Sequence, residues 1–275
     1  MAKNQIAKQQ ASAIALPEAP SFMDADRKMG LELVSQKIRP PFMKIVQKQS
    51  SDELIDQYGI GAVLLVPDNI LVLEPDASPI RIVPLFFYVE YLKLASINLK
   101  GQESMIKERS TDPCSELARR CANRDLWYED HPNYPGDDDY RYRNAEALSF
   151  ICMFDEPHLP NFPFTLSFMK GSYGKGQTFC NQIHMRAGRP LFGSVFALSV
   201  DPQLGQNSKG QWRRFLTANP PERPWIEDAE QYAAFRELHL AMKRAYDAGQ
   251  LEPDYDDEES STPDSANVVN AGNTY

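Results

Sequence analysis

The chain has 275 residues, of which 42% are hydrophobic and 24% charged, and its net charge at pH 7 is -9. These values predict a soluble protein with a substantial core, in one large domain or in one domain with appendages. No run approaches the roughly 18–20 apolar residues of a membrane span, and residues 1–20 lack the apolar region of a secretory signal. We therefore expect a cytoplasmic protein with no membrane partner.

Both ends of the chain differ in composition from its centre. Residues 1–25 are polar and rich in Ala and Gln, which predicts a flexible N-terminal arm. Residues 251–275 hold seven acidic side chains and no Lys or Arg, so the rest of the chain carries a net charge of about -2. This acidic tail has few apolar groups to offset the entropy of ordering, which predicts disorder. Residues 26–250 then form a single domain.

The domain begins with short strands. Pro40 and Pro41 exclude a helix, so the first strand is expected at 42–47. The segment SSDELIDQ has the pattern of a capped helical turn, with Ser51 or Asp52 as its cap. The β-branched runs GAVLLVP and NILVLEP predict two strands joined across residues 67–69.

The segment IRIVPLFFYVEYLKL (80–94) predicts a further strand. If it alternates regularly, Phe86 and Tyr88 lie on the face opposite its aliphatic residues, which are Val83, Leu85, Phe87, Val89 and Tyr91. Two exposed aromatic residues on one face have the geometry of a platform on which nucleobases stack. The alternative is a strand covered on both sides, in which Phe86 and Tyr88 form a second packing face. The sequence leaves both open.

Residues 100–143 are polar and irregular, and are expected to form a long insertion. Its one helical candidate is CSELARRCANRDLW, with Asp112 or Ser115 as the cap. The triplet Asp137–Asp139 could bind a divalent ion but is more typical of a solvated turn, because it lacks the spacing of a calcium loop. Free thiols are similarly favoured over a zinc site built from Cys114, Cys121 and His131.

The central stretch, residues 162–219, reverses the charge of the chain. It contains seven Lys and Arg residues and one acid, Asp201, so its net charge is +6. We expect a strand in PFTLSFMK, a flexible basic loop in KGSYGKG and a short helix ending at Gly188. LFGSVFALSVD and KGQWRRFLTA are expected to pair as strands, and an amphipathic helix is predicted at about 225–248, stopped by Gly249.

Nine aromatic residues lie among those cations. Single-stranded nucleic acid suits such a pattern, because Lys and Arg hold phosphates while bases stack on the rings. The alternative is a set of buried strands with solvated basic turns. Strand alternation places Trp212 with Arg214, and Arg213 with Phe215; Trp212 is then either a stacking residue or a core residue. The candidate nucleic-acid-binding residues are Phe86, Tyr88, Lys93, Lys170, Tyr173, Lys175, Lys209, Trp212 and Arg214.

The order of these segments resembles a family of phage-encoded single-stranded DNA-binding proteins. The resemblance covers residues 38–219 and depends on RIVPLFFYVEY, FTLSFMKGSYGKGQTFCNQI, LFGSVFALSV and QNSKGQWRRF. It implies a mainly β (α+β) fold, an OB-like Greek-key barrel with long loop insertions and a C-terminal amphipathic helix. It also implies a role in phage DNA replication or recombination, with the acidic tail docking partner proteins or competing for the DNA site. Two features depart from that family: the insertion is strongly acidic, and the tail continues past its acidic block.

Nothing in the sequence specifies catalysis. The four His residues are scattered, no nucleophile motif occurs, and no pair of acids has a spacing that assigns a role. We therefore expect a binding protein that is not an enzyme and has no cofactor, and whose oligomeric state stays open. The alternatives are a β-rich virion or assembly protein and, more remotely, a metal-dependent nuclease using Asp137–Asp139.

Overall fold

The computed structural model describes residues 40–48, 50–95, 106–123, 142–186, 188–207, 210–220, 222–249 and 251. These ranges contain eleven strands and four helices. In chain order they are β1 (Phe42–Ile45), α1 (Asp52–Tyr58), β2 (Val63–Val66), β3 (Ile70–Leu73), β4 (Ile80–Ala95), β5 (Ile106–Ser110), α2 (Glu116–Ala122), β6 (Tyr142–Phe154), β7 (Phe164–Met169), α3 (Tyr173–His184), β8 (Phe196–Val200), β9 (Gly205–Asn207), β10 (Gly210–Trp212), β11 (Phe215–Ala218) and α4 (Ala229–Asp247).

Nine of these strands form one mixed sheet, and β9 and β10 form a separate hairpin. The order is β11-β8-β4-β6-β7-β1-β2-β3, with β5 paired to β4. The β1–β7 pair is parallel and the other pairs are antiparallel. The sheet is strongly curled into a half-barrel with a few helices, which confirms a mainly β fold with some helix. The five-stranded Greek-key arrangement stays a prediction.

The curl brings the two ends of the sheet to a common core. In a flat sheet with strands about 4.8 Å apart, β3 and β11 would be about 34 Å from each other. Instead, Leu73 of β3 and Phe215 of β11 belong to one cluster of buried side chains. The side chain of Gln47, just after β1, also donates to the carbonyl of Arg213 at 3.0 Å and accepts from its N–H at 2.8 Å. These two hydrogen bonds join the segment after β1 to the segment before β11, which are far apart in the strand order.

Helices cover the two faces of the sheet. On the concave face, Phe179 of α3 is fully buried, with its ring centroid 4.6 Å from Phe150 and 5.0 Å from Phe196. On the convex face, Phe235 of α4 packs against Val83 and Leu85 of β4. Helix α4 has the predicted amphipathic face and stop, although it begins at Ala229, where Asp228 caps the N–H groups of the first turn. None of the helices in the described ranges is long and apolar enough to cross a membrane.

A β-bulge in β4 overturns the predicted alternation of this strand. Pro84 pairs with Cys152 and Phe86 with Ile151, so Leu85 is an extra residue between two consecutive pairs. Leu85 and Phe86 consequently both face α4. The expectation that Val83 and Leu85 share a face with Phe87 is therefore wrong. Val83 and Leu85 lie on the same side as Phe86 and Tyr88, facing α4.

The segment KGSYGKG is not the flexible loop expected from its glycines. It forms a 3-10 turn at Lys170–Ser172 and then the first turn of α3. A Cβ on Gly176 would lie 2.6 Å from the Cβ of Phe168, so the missing side chain lets α3 approach β7 closely. Glycine here serves packing rather than flexibility.

The insertion contains two of the described elements, β5 and α2. Ser115, one of the two residues predicted to cap α2, does so: its hydroxyl accepts from the N–H of Ala118. The predicted N-terminal arm lies outside the described residues, as does most of the remaining insertion. Of the predicted acidic tail, residues 251–275, only Leu251 is described, and it is buried.

Candidate nucleic-acid interface

Three segments of the basic stretch meet around Trp212. They are the turn before α3, the β8–β9 connection and the end of the β9–β10 hairpin. We call their meeting point the Trp212 cluster, which consists of Gly171, Lys175, Asp201, Gly205, Trp212 and Arg214. It brings together three residues that the sequence proposed as binding residues, Lys175, Trp212 and Arg214.

The indole of Trp212 packs against two glycines. A Cβ on Gly171 would lie 2.4 Å from Cζ2 of the indole, and one on Gly205 would lie 2.5 Å from its Cε2. The indole nitrogen is buried and makes no hydrogen bond. Trp212 therefore fastens the hairpin to the start of α3, and only part of its ring remains exposed for another contact.

Asp201 holds two cations in this cluster. Its Oδ2 lies 2.8 Å from Nζ of Lys175 and 3.0 Å from Nη2 of Arg214, and its Oδ1 accepts from the N–H of Gln203 at 2.9 Å. The carboxylate is buried, whereas Lys175 and Arg214 are partly exposed. Burial alone would raise the pKa of Asp201, but the hydrogen bonds and charges of its partners hold that pKa below its ordinary value.

The other cations of the stretch separate into different places. Lys170 is exposed next to Gly171, with a left-handed φ of 49°. The side chain of Arg213 lies near Gly61, where a Cβ would be 3.9 Å from its Nε, and its backbone bonds to Gln47. Lys209 lies outside the described residues. The cationic surface near Trp212 is thus formed by Lys170, Lys175 and Arg214.

Arg186 is fixed in a different surface. Its guanidinium lies 4.1 Å from the ring centroid of Phe196 and 5.0 Å from that of Trp225. It also donates to the carbonyls of Val195 and Pro224, at 2.9 Å each. These contacts make Arg186 a structural residue that connects α3 to the chain before α4.

The expectation that Phe86 and Tyr88 form an exposed stacking platform is wrong. Tyr88 is only 3% exposed, and the rings of Phe86 and Tyr88 lie 5.4 Å and 6.2 Å from that of Tyr246 in α4. Leu251, which follows α4, is buried in the same cluster. These residues form the second packing face that the sequence offered as the alternative, because a helix distant in sequence covers them.

Lys93 and Tyr173 make their polar contacts outside the Trp212 cluster. Nζ of Lys93 is 2.6 Å from Oε1 of Glu108 on β5. The hydroxyl of Tyr173 donates to Oε2 of Glu146 on β6 at 2.7 Å. Partial burial, and then this hydrogen bond to a carboxylate, raise the pKa of Tyr173 far above its ordinary value. Tyr173 therefore remains a neutral phenol at physiological pH.

Two partly exposed aromatic residues of β4 were not among the binding residues predicted from the sequence. Phe87 is 37% exposed, and Tyr91 is half-buried beside Glu146. They lie on the α3 face because the bulge shifts the alternation of the strand. The proline within the strand was the available signal, since prolines inside strands often accompany bulges.

Glu90 is an unexpected buried acid on the α4 face. It is fully buried, and neither carboxylate oxygen has a well-oriented hydrogen bond, although Ser149, Arg109 and Tyr88 lie close by. Burial raises the pKa of Glu90, and these neighbours oppose the shift only in part.

Metal-binding chemistry finds little support in the described part of the chain. No group of three His, Cys, Asp or Glu side chains there is arranged to hold a metal ion. Cys114 is exposed, and burial raises the pKa of Cys121 to about 11. His131 and Asp137–Asp139 lie outside the described residues, so both metal-site predictions stay untested.

Comparison with known proteins gives no relative. No family model, curated protein or solved structure matches the chain. Function must therefore be argued from the site.

Proposed function

We propose that the protein binds single-stranded DNA without strong sequence preference, through the cationic surface around Trp212. On the resemblance of residues 38–219 to phage single-stranded DNA-binding proteins, this activity belongs to DNA replication or recombination in the host cytoplasm. The same resemblance makes an OB-like Greek-key barrel the expected framework.

The observation that carries the proposal is the meeting of Lys175 and Arg214 at one carboxylate beside Trp212. Asp201 offsets one of their two positive charges and fixes the direction of both side chains. An ammonium has three N–H donors and a guanidinium five, so both groups keep donors for phosphate oxygens. Lys170, which precedes Gly171 of the cluster in sequence, is exposed and adds a further cation.

Single strands suit this surface better than duplex because their bases are accessible. Trp212 and Tyr173 are both half-buried, so each keeps part of its side chain exposed. Trp212 belongs to the same cluster as Lys175, and Tyr173 precedes Lys175 by two residues. Stacking on such rings tolerates any base, which agrees with binding that ignores sequence.

A second candidate is a β-rich virion or assembly protein with no nucleic-acid activity. It is favoured by the packing of Trp212 against Gly171 and Gly205, since this contact and the Asp201 ion pairs also stabilise the fold. In that case the cations near Trp212 serve only to fasten α3 to the hairpin.

The test is the affinity for a labelled oligothymidylate, a duplex and an RNA of equal length, measured by fluorescence anisotropy at several salt concentrations. We expect the single strand to bind more tightly than the duplex, with affinity falling steeply as salt rises. Lys175→Gln and Arg214→Gln should each lower the salt slope by ~0.7 per lost phosphate contact. Lys243→Gln is the matched control, because Lys243 also pairs with a single carboxylate, Asp247, on exposed α4.

Equal affinity for duplex, or no binding at low salt, would support the assembly protein instead. A chain ending at Leu251 adds a test of the acidic tail. Since seven tethered acids compete with phosphate for the cations, removing them should raise affinity at low salt and have no effect at high salt. Leu251 is kept because it is buried against Tyr88.

A further inference from the structure

After its bulge, β4 presents a row of side chains toward the α3 face. Alternate residues of a strand share a face and lie about 6.8 Å apart, which places Phe87, Val89, Tyr91 and Lys93 in line. We call these four residues the β4 row. Phe87 packs one side of its ring on Phe150, at 4.9 Å between centroids, yet is 37% exposed. An aromatic ring supported from below and open to solvent can accept a planar group.

The neighbouring strands leave this part of β4 uncovered at one edge. Strand β8 pairs with β4 only at Ile80–Ile82, and β5 pairs with it only at Tyr91–Leu94. Among the described strands, none lies beside Phe87 on that edge. Other segments border this edge: the turn at Leu191–Gly193 packs against β4, and Nδ1 of His239 lies 2.7 Å from the carbonyl of Leu85. Along β4, Phe87 therefore lies beside a gap in the sheet, between the pairing sites of β8 and β5.

The first turn of α3 connects the β4 row to the Trp212 cluster. The hydroxyl of Tyr173 bonds Glu146, and Glu146 is the direct partner of Tyr91 in the sheet. Two residues after Tyr173, Lys175 reaches Asp201. One helical turn therefore has an aromatic ring beside the β4 row and a cation at the Trp212 cluster.

We infer that the β4 row and Tyr173 form a second part of the single-stranded DNA path, in which bases stack on Phe87, Tyr91 and Tyr173. This inference rests on the proposed function. It states where on the protein the bound strand runs, from the Trp212 cluster past Tyr173 and along the β4 row.

Lys93 lies at one end of this path and Lys175 at the other. Each is paired with a carboxylate, Glu108 and Asp201 respectively, and an ammonium has further N–H donors that can contact phosphates, between which bases can stack. Oε2 of Glu146, which lies between them, accepts a hydrogen bond from the Tyr173 hydroxyl at 2.7 Å.

Photochemical crosslinking tests the path on the unaltered protein. Oligothymidylates of about 16 nucleotides, the upper end of the range for one such binding site, would carry 5-iododeoxyuridine at single positions. Irradiation and mass spectrometry then identify the attached peptides. We expect crosslinks to peptides that contain Phe87 or Tyr91 as well as to the peptide that contains Trp212. Crosslinks near Trp212 alone would overturn the inference while leaving the proposed function intact.

Substitution of Phe87 gives an independent test with a matched control. Phe87→Leu keeps an apolar side chain over Phe150 but removes the stacking ring, so affinity for the oligonucleotide of about 16 nucleotides should fall about 5- to 150-fold with an unchanged salt slope. Phe87→Tyr keeps the ring and should bind like the parent. Phe162→Leu is the control, because Phe162 is also 37% exposed but lies in the loop before β7.

Equal losses for Phe87→Leu and Phe162→Leu, or no loss for either, would overturn the inference. If the parent protein does not bind single strands at all, the proposed function fails and the inference fails with it. An oligothymidylate of about 4 nucleotides is a further comparison. If Phe87→Leu binds this short strand as tightly as the parent does but binds the longer strand more weakly, the result supports a path in which only the longer strand reaches Phe87.

Discussion

The two faces of β4 carry similar aromatic side chains, but one face is covered and the other is partly exposed. Toward α4, Phe86 and Tyr88 are covered by Tyr246 and Leu251, and their rings stabilise the fold. Toward α3, Phe87 remains 37% exposed. The two faces are equally aromatic in sequence, so composition does not distinguish a packing face from a binding face.

A bulge and a helix together produce the difference. The extra residue Leu85 sets which aromatic residues point to which side, and α4 then covers one side while α3 covers the other only in part. A platform for bases therefore requires a ring supported by the core and left uncovered by later elements. Phe87 meets both conditions, whereas Tyr88 meets only the first.

Truncating the covered face should have the largest effect on stability. Tyr88→Ala removes a ring that is 3% exposed, which should cost about 3–5 kcal/mol of unfolding free energy because a cavity remains. Phe87→Ala should cost less, since part of its ring is already in solvent. Urea unfolding of the two variants measures the difference. Similar losses, or a Tyr88→Ala protein that is fully stable but deficient in DNA binding, would contradict this assignment of the faces.

A smaller effect is expected at the contact between the α3 face and the hairpin. Gly171→Ala introduces a Cβ 2.4 Å from the indole of Trp212, which should cost about 1–3 kcal/mol through overpacking. Adding Trp212→Leu should recover part of that loss, because the smaller side chain removes the clash.

Gly174→Ala, in the first turn of α3 next to the 3-10 turn that contains Gly171, is the control, because its Cβ would meet nothing within 4 Å. It should stabilise α3 by up to about 1 kcal/mol. Thermal unfolding measures all four proteins. A Gly171→Ala protein as stable as the parent would show that Trp212 does not pack as described.

The smallest effect concerns the buried acid of the α4 face. Burial raises the pKa of Glu90 in the folded state, so the folded state binds the proton of this carboxyl more tightly than the unfolded state does. Its contribution to stability is therefore greatest at and below the ordinary value of 4.5, and decreases as the pH rises toward the folded-state pKa.

Glu90→Gln should remove that loss, so the melting temperature of the variant relative to the parent should rise with pH. Any offset that is constant with pH reports the fit of the amide rather than ionisation. Melting curves from about pH 4 to about pH 8, which begin near the ordinary value of 4.5 and extend well above it, measure the trend. Glu237→Gln, on an exposed position of α4, is the control. A pH-independent difference for Glu90→Gln would show that the carboxyl is not held protonated.

Local patterns in the sequence determined much of the framework. Pro40 and Pro41 preceding β1, the β-branched runs of β2 and β3, and the apolar spacing with Gly249 after α4 each depend on residues close together in the chain. The separation of cations from the acidic tail was also evident from composition. For that reason the mainly β class and most element positions could be predicted, while the binding activity remains a proposal.

Tertiary structure alone decided how side chains face one another. The predicted alternation of β4 failed across Leu85, so that Val83 and Leu85 were placed on the wrong face relative to Phe87, because a bulge changes which way side chains face without changing composition. Gly171 and Gly205 leave room for the indole of Trp212, and Asp201 pairs with Lys175 and Arg214. All of these contacts join separate segments of the chain. Such contacts depend on which distant segments the curled sheet brings together, whereas strand and helix patterns reflect only neighbouring residues.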